Sequence, residues 1–131
     1  MARIRSIKPE FWTSESVGSL DISARLTFIG IWCYVDDNGV GVFNEVLITA
    51  ALYALDDPTE ALARTREDLR SLSGAGLISV YRNGSKRYIA VTNWDEHQKP
   101  SHPRAPRYPR PTDEASEPVP TSTLEPLRSI S

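Results

Sequence analysis

The stretch Ile22 to Val35, Ile-Ser-Ala-Arg-Leu-Thr-Phe-Ile-Gly-Ile-Trp-Cys-Tyr-Val, constrains the fold more than any other part of the chain. It is the longest apolar run, and apolar side chains recur on almost every side of a helix drawn through it. Leu26, Ile29 and Cys33 are spaced by three and four, and Phe28, Trp32 and Val35 form an adjacent stripe. A helix that is apolar around most of its circumference has to be covered on most of it. Asp21 or Ser23 can cap its start, and Asp36-Asp37-Asn38-Gly39 ends it with turn chemistry. At fourteen residues it falls short of the roughly twenty needed to span a bilayer. The spacing therefore predicts a central core helix around which the rest is arranged.

What remains is enough for one small domain. Of the ten prolines, eight lie from Pro100 onward, and apolar residues thin out after Trp94. Such a tail buries too little apolar surface to offset ordering entropy, which predicts a Pro-rich disordered or extended segment. The division expected is a domain with its N-terminal arm over residues 1–99 and a tail over 100–131. A single cysteine, Cys33, excludes an internal disulfide and fits a reducing compartment. No apolar segment follows the basic start, so no signal peptide is expected and a cytoplasmic location in the host cell is.

Charge is segregated along the chain. Between Glu15 and Leu72 ten acids face four bases, a net of −6, whereas Arg82 to Pro111 holds seven bases against two acids, a net of +5. Arg3, Arg5 and Lys8 add positive charge to the arm. Such segregation can steer an anionic polymer to one side of a protein.

The element order follows from local signals. Residues 1–9 read as an extended arm, with Phe11 and Trp12 as anchors behind it. After the central helix, Val40 to Phe43 is a short extended segment. Asn44 caps a helix running to about Leu55, whose apolar face is Val46, Leu47, Ala50, Ala51, Ala54 and Leu55. Asp56-Asp57-Pro58 breaks it, and Thr59 caps a third helix over about Glu60 to Ser73. There Leu62, Thr65, Leu69 and Leu72 define the buried stripe, and Gly74 provides a left-handed stop. Leu77 to Arg82 and Lys86 to Thr92 alternate around Asn83-Gly84, the strongest short hairpin signal. A turn centred there places Arg82 opposite Ser85, Val80 opposite Arg87 and Ile78 opposite Ile89. Ile78, Val80, Ile89 and Val91 then share the core face.

Helix, short strand, helix, helix, hairpin is the order of an α+β winged helix-turn-helix, a three-helix core with a β-hairpin wing. In that arrangement the third helix enters the major groove and the wing tracks the neighbouring backbone. Arg64, Arg66 and Arg70 are then candidates for guanine edges or phosphates, although Glu60, Glu67 and Asp68 on the same helix oppose that and favour intrahelical pairs. Arg82, Lys86 and Arg87 on the wing are candidates for phosphate contacts. Lys99, Arg104, Arg107 and Arg110, spaced through prolines, are candidates for an extended basic tail lying along DNA. No catalytic signature is present: no G-x-S-x-G, P-loop, G-x-G-x-x-G or H-E-x-x-H. His97 and His102 lack further ligands for zinc. A calcium loop counted from Asp36 would need Glu at its twelfth position, which is Leu47. No cofactor or metal is expected.

Several segments together resemble a known family. They are the opening Arg-Ile-Arg-Ser-Ile-Lys-Pro-Glu-Phe-Trp-Thr-Ser, the Ala24-Arg25-Leu26 start of the helix ending in Asp36-Asp37-Asn38-Gly39, the Gly76-Leu77-Ile78 lead into the hairpin, and the closing Trp94-Asp95-Glu96-His97-Gln98-Lys99. The set is similar to small helix-turn-helix proteins of phages and prophages of actinobacteria, and through them to the N-terminal winged-helix domain of phage replisome organisers and other replication-initiation proteins. The resemblance implies a non-enzymatic protein that binds double-stranded DNA in replication initiation or its regulation, or in transcription, with host or phage replication proteins as further partners. It places Arg3, Arg5, Lys8, His97, Gln98 and Lys99 in the family's pattern, so Arg3, Arg5 and Lys99 join the DNA-binding candidates. The short tail departs from longer relatives, which puts recruitment of a helicase or loader in doubt. The alternative reading is an adaptor on the same fold that binds a host protein, favoured by the acidic helical body.

Overall fold

The computed structural model describes residues 3–120. It is an α+β protein with a short 3-10 helix (Pro9–Thr13), five α-helices and one four-stranded antiparallel sheet. The helices are α1 (Glu15–Gly18), α2 (Ile22–Tyr34), α3 (Glu45–Leu52), α4 (Pro58–Gly74) and α5 (Trp94–His97). The strands are β1 (Val40–Val42), β2 (Ile78–Asn83), β3 (Lys86–Val91) and β4 (Ser116–Pro118), side by side in the order β1-β3-β2-β4. No helix among the described residues is long and apolar enough to cross a membrane.

The central helix is α2, and its Phe28, Ile31 and Trp32 are buried together with Ala24 and Thr27. Phe11 from the 3-10 helix closes on this cluster, edge-on to Trp32 with ring centroids 5.4 Å apart. Coverage is narrower than the all-round apolar pattern predicts. Ile29 and Cys33 are half-buried, and Leu26 is 57% exposed. α3 and α4 meet α2 along one side only, so the Leu26 side is left to solvent.

The larger correction concerns α3. Asn44 Oδ1 caps it, accepting from the amides of Val46 and Leu47 at 3.0 and 3.1 Å. The buried side chains are Ile48 and Thr49, not the predicted face. Val46 and Leu47 are 59% and 52% exposed, Ala50, Ala51 and Ala54 are exposed, and Leu55 is 99% exposed beyond the end of the helix. A helix this short, lying against α2 and α4, buries one narrow side, and that side is set by its neighbours rather than by its most apolar stripe.

α4 starts one turn feature earlier than its sequence suggests. Asp57 Oδ2 accepts from Glu60 N at 3.0 Å, and Pro58 occupies the first position, where no N–H is needed. Ala61, Thr65, Asp68, Leu69 and Leu72 are buried, while Leu62 is half-exposed. The left-handed stop is Gly76, at φ +75°, rather than Gly74. Leu77 N donates to Leu72 O and Gly76 N to Ser73 O, both at 3.0 Å, the paired bonds of a Schellman motif.

The hairpin also shifts. Its two-residue loop is Gly84-Ser85, with Asn83 opposite Lys86, Arg82 opposite Arg87, Val80 opposite Ile89 and Ile78 opposite Val91. Gly84, at φ +68°, takes the first loop position, which admits positive φ without a Cβ penalty. The displacement from the predicted register is an even number of residues, so every side chain keeps its face. Ile78, Val80, Ile89 and Val91 do join the helical core. The opposite face is not solvated. Val40, Tyr81, Tyr88 and Ala90 form a second buried cluster, with Val42 and Tyr108 packed on it.

That second cluster is covered by the segment whose composition predicts disorder. Residues 100–120 cross the outer face of the sheet as a strap. Tyr88 and Tyr108 rings lie 5.9 Å apart, Tyr81 OH donates to Pro109 O at 2.6 Å, and β4 then pairs along the free edge of β2. Tyr108 supplies the apolar surface that a proline count overlooks, and the carbonyls beside the prolines remain good acceptors. Residues 121–131 of the expected tail lie outside the described residues.

Candidate nucleic-acid interface

The β2–β3 hairpin carries exposed cations. Arg82, Lys86 and Arg87 are exposed, and among the described residues none of them takes part in an ion pair. Arg82 and Arg87 stand directly opposite each other across the β2–β3 ladder. Like charges so placed destabilise a sheet, and Glu117, opposite Arg82 on β4, does not close an ion pair with it. The site is therefore electropositive and unsatisfied. Phe43 N donates to Arg87 O at 3.0 Å, which ties the segment leading into α3 to strand β3 of the hairpin.

The α4 arginines are spent. Arg64 Nη2 binds Asp56 Oδ2 at 2.7 Å and its guanidinium lies 4.6 Å over the Tyr53 ring; the Asp56 bond leads the causes that raise its pKa. Arg66 Nε binds Glu45 Oε1 at 3.1 Å, joining α4 to α3. Arg70 Nη1 binds Glu67 Oε1 at 2.9 Å, one turn back on its own helix. Of the intrahelical pairs that the acids of α4 favour, Arg70–Glu67 forms, while Arg64 turns to Asp56 before the helix. Asp68 is buried instead, accepting from Ser23 Oγ and Thr27 Oγ1, both at 2.7 Å, with Thr27 Oγ1 also 2.6 Å from Tyr53 OH.

The arm residues serve the fold. Arg5 is 5% exposed at its side chain. Its guanidinium donates to Trp32 O at 2.8 Å and to Val35 O and Asp36 O at 3.1 Å, so it closes the C-terminal end of α2. It also pairs with Asp37 at 3.1 Å and lies 5.0 Å over the Trp94 ring. Arg3, more exposed, pairs with the other oxygen of Asp37 at 2.6 Å. Lys8 Nζ donates to Glu96 O at 2.8 Å. Gln98 is buried and clamps the arm at both polar groups of Ser6: its Oε1 accepts from Ser6 N at 3.1 Å, and its Nε2 donates to Ser6 O at 2.6 Å. Lys99, by contrast, is exposed and, among the described residues, has no ion pair.

Asp37, which the sequence presents only as part of a turn, is the node of these contacts. Besides Arg3 and Arg5 it accepts from Arg104 N at 3.1 Å, and its main-chain oxygen accepts from Trp94 Nε1 at 2.8 Å. Burial pushes its carboxyl up, but the Arg104 amide, the Arg5 hydrogen bond and the charges of Arg3 and Arg5 outweigh that and hold it below the ordinary value. One sequence signal could have exposed this role. Two acids at the C-terminal end of a helix meet its negative pole, so they require cations from elsewhere.

His97 packs on Phe28 and Trp32 at 5.6 and 5.4 Å, and burial, reinforced by Lys8, lowers its pKa against the pull of Glu96. No group of three or more His, Cys, Asp or Glu among the described residues could hold a metal. Comparison with protein families, with curated proteins and with solved structures finds no match to this chain.

Proposed function

We propose that this protein is a winged helix-turn-helix module that binds double-stranded DNA without catalysing a reaction. The order α2-β1-α3-α4-β2-β3 supports that assignment, with α4 in the place of the recognition helix and β2–β3 as the wing. One observation carries it: Arg82 and Arg87 stand opposite each other and, among the described residues, close no ion pair, and Lys86, next along the strand, is exposed as well. Both side chains are exposed, so solvent screens the repulsion, and a bound anion would relieve it. Phosphate contacts position a protein on a duplex and base-edge contacts specify sequence. Because Arg64, Arg66 and Arg70 are engaged by acids, the wing supplies the affinity and sequence discrimination is weak. By its likeness to phage replication-initiation proteins, the module acts in DNA replication of a phage or prophage. Fluorescence anisotropy with a labelled duplex across a salt series tests the reading. Binding weakens steeply with salt, and replacing Arg82, Lys86 and Arg87 together by alanine flattens the slope for all sequences. Absence of duplex binding by the wild type at low salt would sink it, and an unaltered slope in that variant would remove the hairpin from the interface.

A second reading draws on a different observation. The exposed side of α3, Val46, Leu47 and Ala50, continued by Ala54 just beyond its end, forms an apolar surface of the kind that marks protein contacts. It supports an adaptor that binds a host protein. Stoichiometric capture of one host protein from nuclease-treated lysate, lost on Val46→Ser with Leu47→Ser, would favour it over DNA binding.

A further inference from the structure

A second group of cations stands at the opposite end of the sheet from the wing. Lys99 and Arg104 are exposed and, among the described residues, their side chains take part in no ion pair; Arg107 is exposed with its guanidinium 5.5 Å over the Tyr108 ring. What holds Arg104 and Arg107 in place is the main chain. Arg104 N donates to Asp37 Oδ2 at 3.1 Å, Arg104 O accepts from Asn38 Nδ2 at 3.2 Å, and Arg107 N donates to Asp36 Oδ2 at 3.4 Å. The two acids of the turn thus spend lone pairs on strap amides, and Asp37 is buried beneath Arg3 and Arg5. Between arm and strap lies an open cleft of about 290 Å³, lined by Arg3, Ser6, Lys99 and Ser101 among others. Anchored backbone with free cationic side chains is a preorganised display, and less ordering entropy remains to be lost when an anion arrives.

The position of this group follows from the register. Val91 N donates to Gly39 O, so the Asp36–Gly39 turn lies beside the end of β3 farthest from the hairpin loop. Five strand steps from Lys86 to Val91 span about 17 Å. That distance compares with a major groove about 12 Å wide taken together with the phosphates on its two banks.

We infer that Lys99, Arg104 and Arg107 form a second phosphate-binding cluster, so that wing and strap hold the DNA backbone on both sides of one groove. The inference rests on the DNA-binding reading and extends it. It makes the strap part of the nucleic-acid interface and assigns it a ligand, the phosphodiester backbone. The test uses the full chain with Lys99→Ala, Arg104→Ala and Arg107→Ala combined, titrated against a labelled duplex of about 20 base pairs over a salt series. Each lost phosphate contact lowers the slope of log K against log salt by about 0.9, so a fall of about two to three units is expected, with near-UV circular dichroism unchanged because the anchoring bonds are main-chain. If the wild type binds the duplex and the variant keeps its slope, the strap cluster is excluded and the wing stands. If the wild type binds no duplex at low salt, the DNA-binding reading falls and this inference falls with it.

Discussion

At the scale of single residues, the decisive group is Asp37. It is buried, and its charge is held by Arg5, Arg3 and the Arg104 amide. Removing Arg5 leaves a buried carboxylate short of its best partner, and breaking such a pair costs about 3 kcal/mol or more. Arg5→Ala should therefore lower the denaturant midpoint sharply, at unchanged m-value, in a urea titration followed by tryptophan fluorescence. The pH dependence has a definite sign. The folded carboxyl titrates below its ordinary value of 3.8. Its contribution is thus complete above that value and disappears as pH falls through the depressed folded pKa. Stability measured from pH 6 down to pH 2 should fall more steeply in the wild type than in Asp37→Asn. A second residue with no freedom is Gly39. It adopts φ +81°, and a Cβ there would lie 2.6 Å from Trp94 Cγ. Gly39→Ala combines left-handed strain with that overlap and should cost about 2 kcal/mol or more, read as a lower melting temperature.

At the scale of elements, α3 separates apolar character from burial. Val46→Ser with Leu47→Ser, on the exposed side, should change folding stability by no more than about 0.5 kcal/mol. Ile48→Ala, on the buried side, should cost about 2 to 5 kcal/mol. Chemical denaturation of both variants checks the assignment, and a reversed order would mean that α3 is rotated about its axis. The hairpin makes the complementary point. Its faces were legible because alternation has a period of two, whereas its register was not, because Asn83-Gly84 and Gly84-Ser85 both make acceptable two-residue loops. β4 was not legible at all. A strand of three residues next to prolines carries no periodicity of its own, and it forms because the edge of β2 offers unpaired main-chain groups.

At the scale of the whole molecule, arm and strap converge on the same turn, and the strap roofs the outer face of the sheet. Cutting the chain after residue 99 would expose the cluster of Val40, Tyr81, Tyr88 and Ala90. Such a truncation should lose about 1 to 3 kcal/mol and several degrees in melting temperature, and should bind a hydrophobic dye more strongly. A truncated chain that melts with the full-length one would return the strap to the status of a linker. Charge follows the same division. The arginines of α4 are engaged by acids, whereas Arg82, Lys86 and Arg87 on the hairpin and Lys99 and Arg104 at the strap are exposed and, among the described residues, in no ion pair.

By itself the sequence determined that α2, α3, α4 and the β2–β3 hairpin form, though not α1, α5 or β4, that α2 lies at the centre, and that positive charge collects on the hairpin and the Pro-rich segment. Those properties depend on neighbours within a few residues: spacing, caps, positive-φ glycines and alternation. Only the tertiary structure decided which side of α3 is buried, that Arg5 and Gln98 act on the fold, that the α4 arginines are neutralised, and that residues 100–120 pack rather than hang free. Each of these depends on a partner far away in sequence, such as Asp37 for Arg5 or Tyr88 for Tyr108. A local pattern records how strongly a side chain avoids water or carries charge, but not which distant group will meet it.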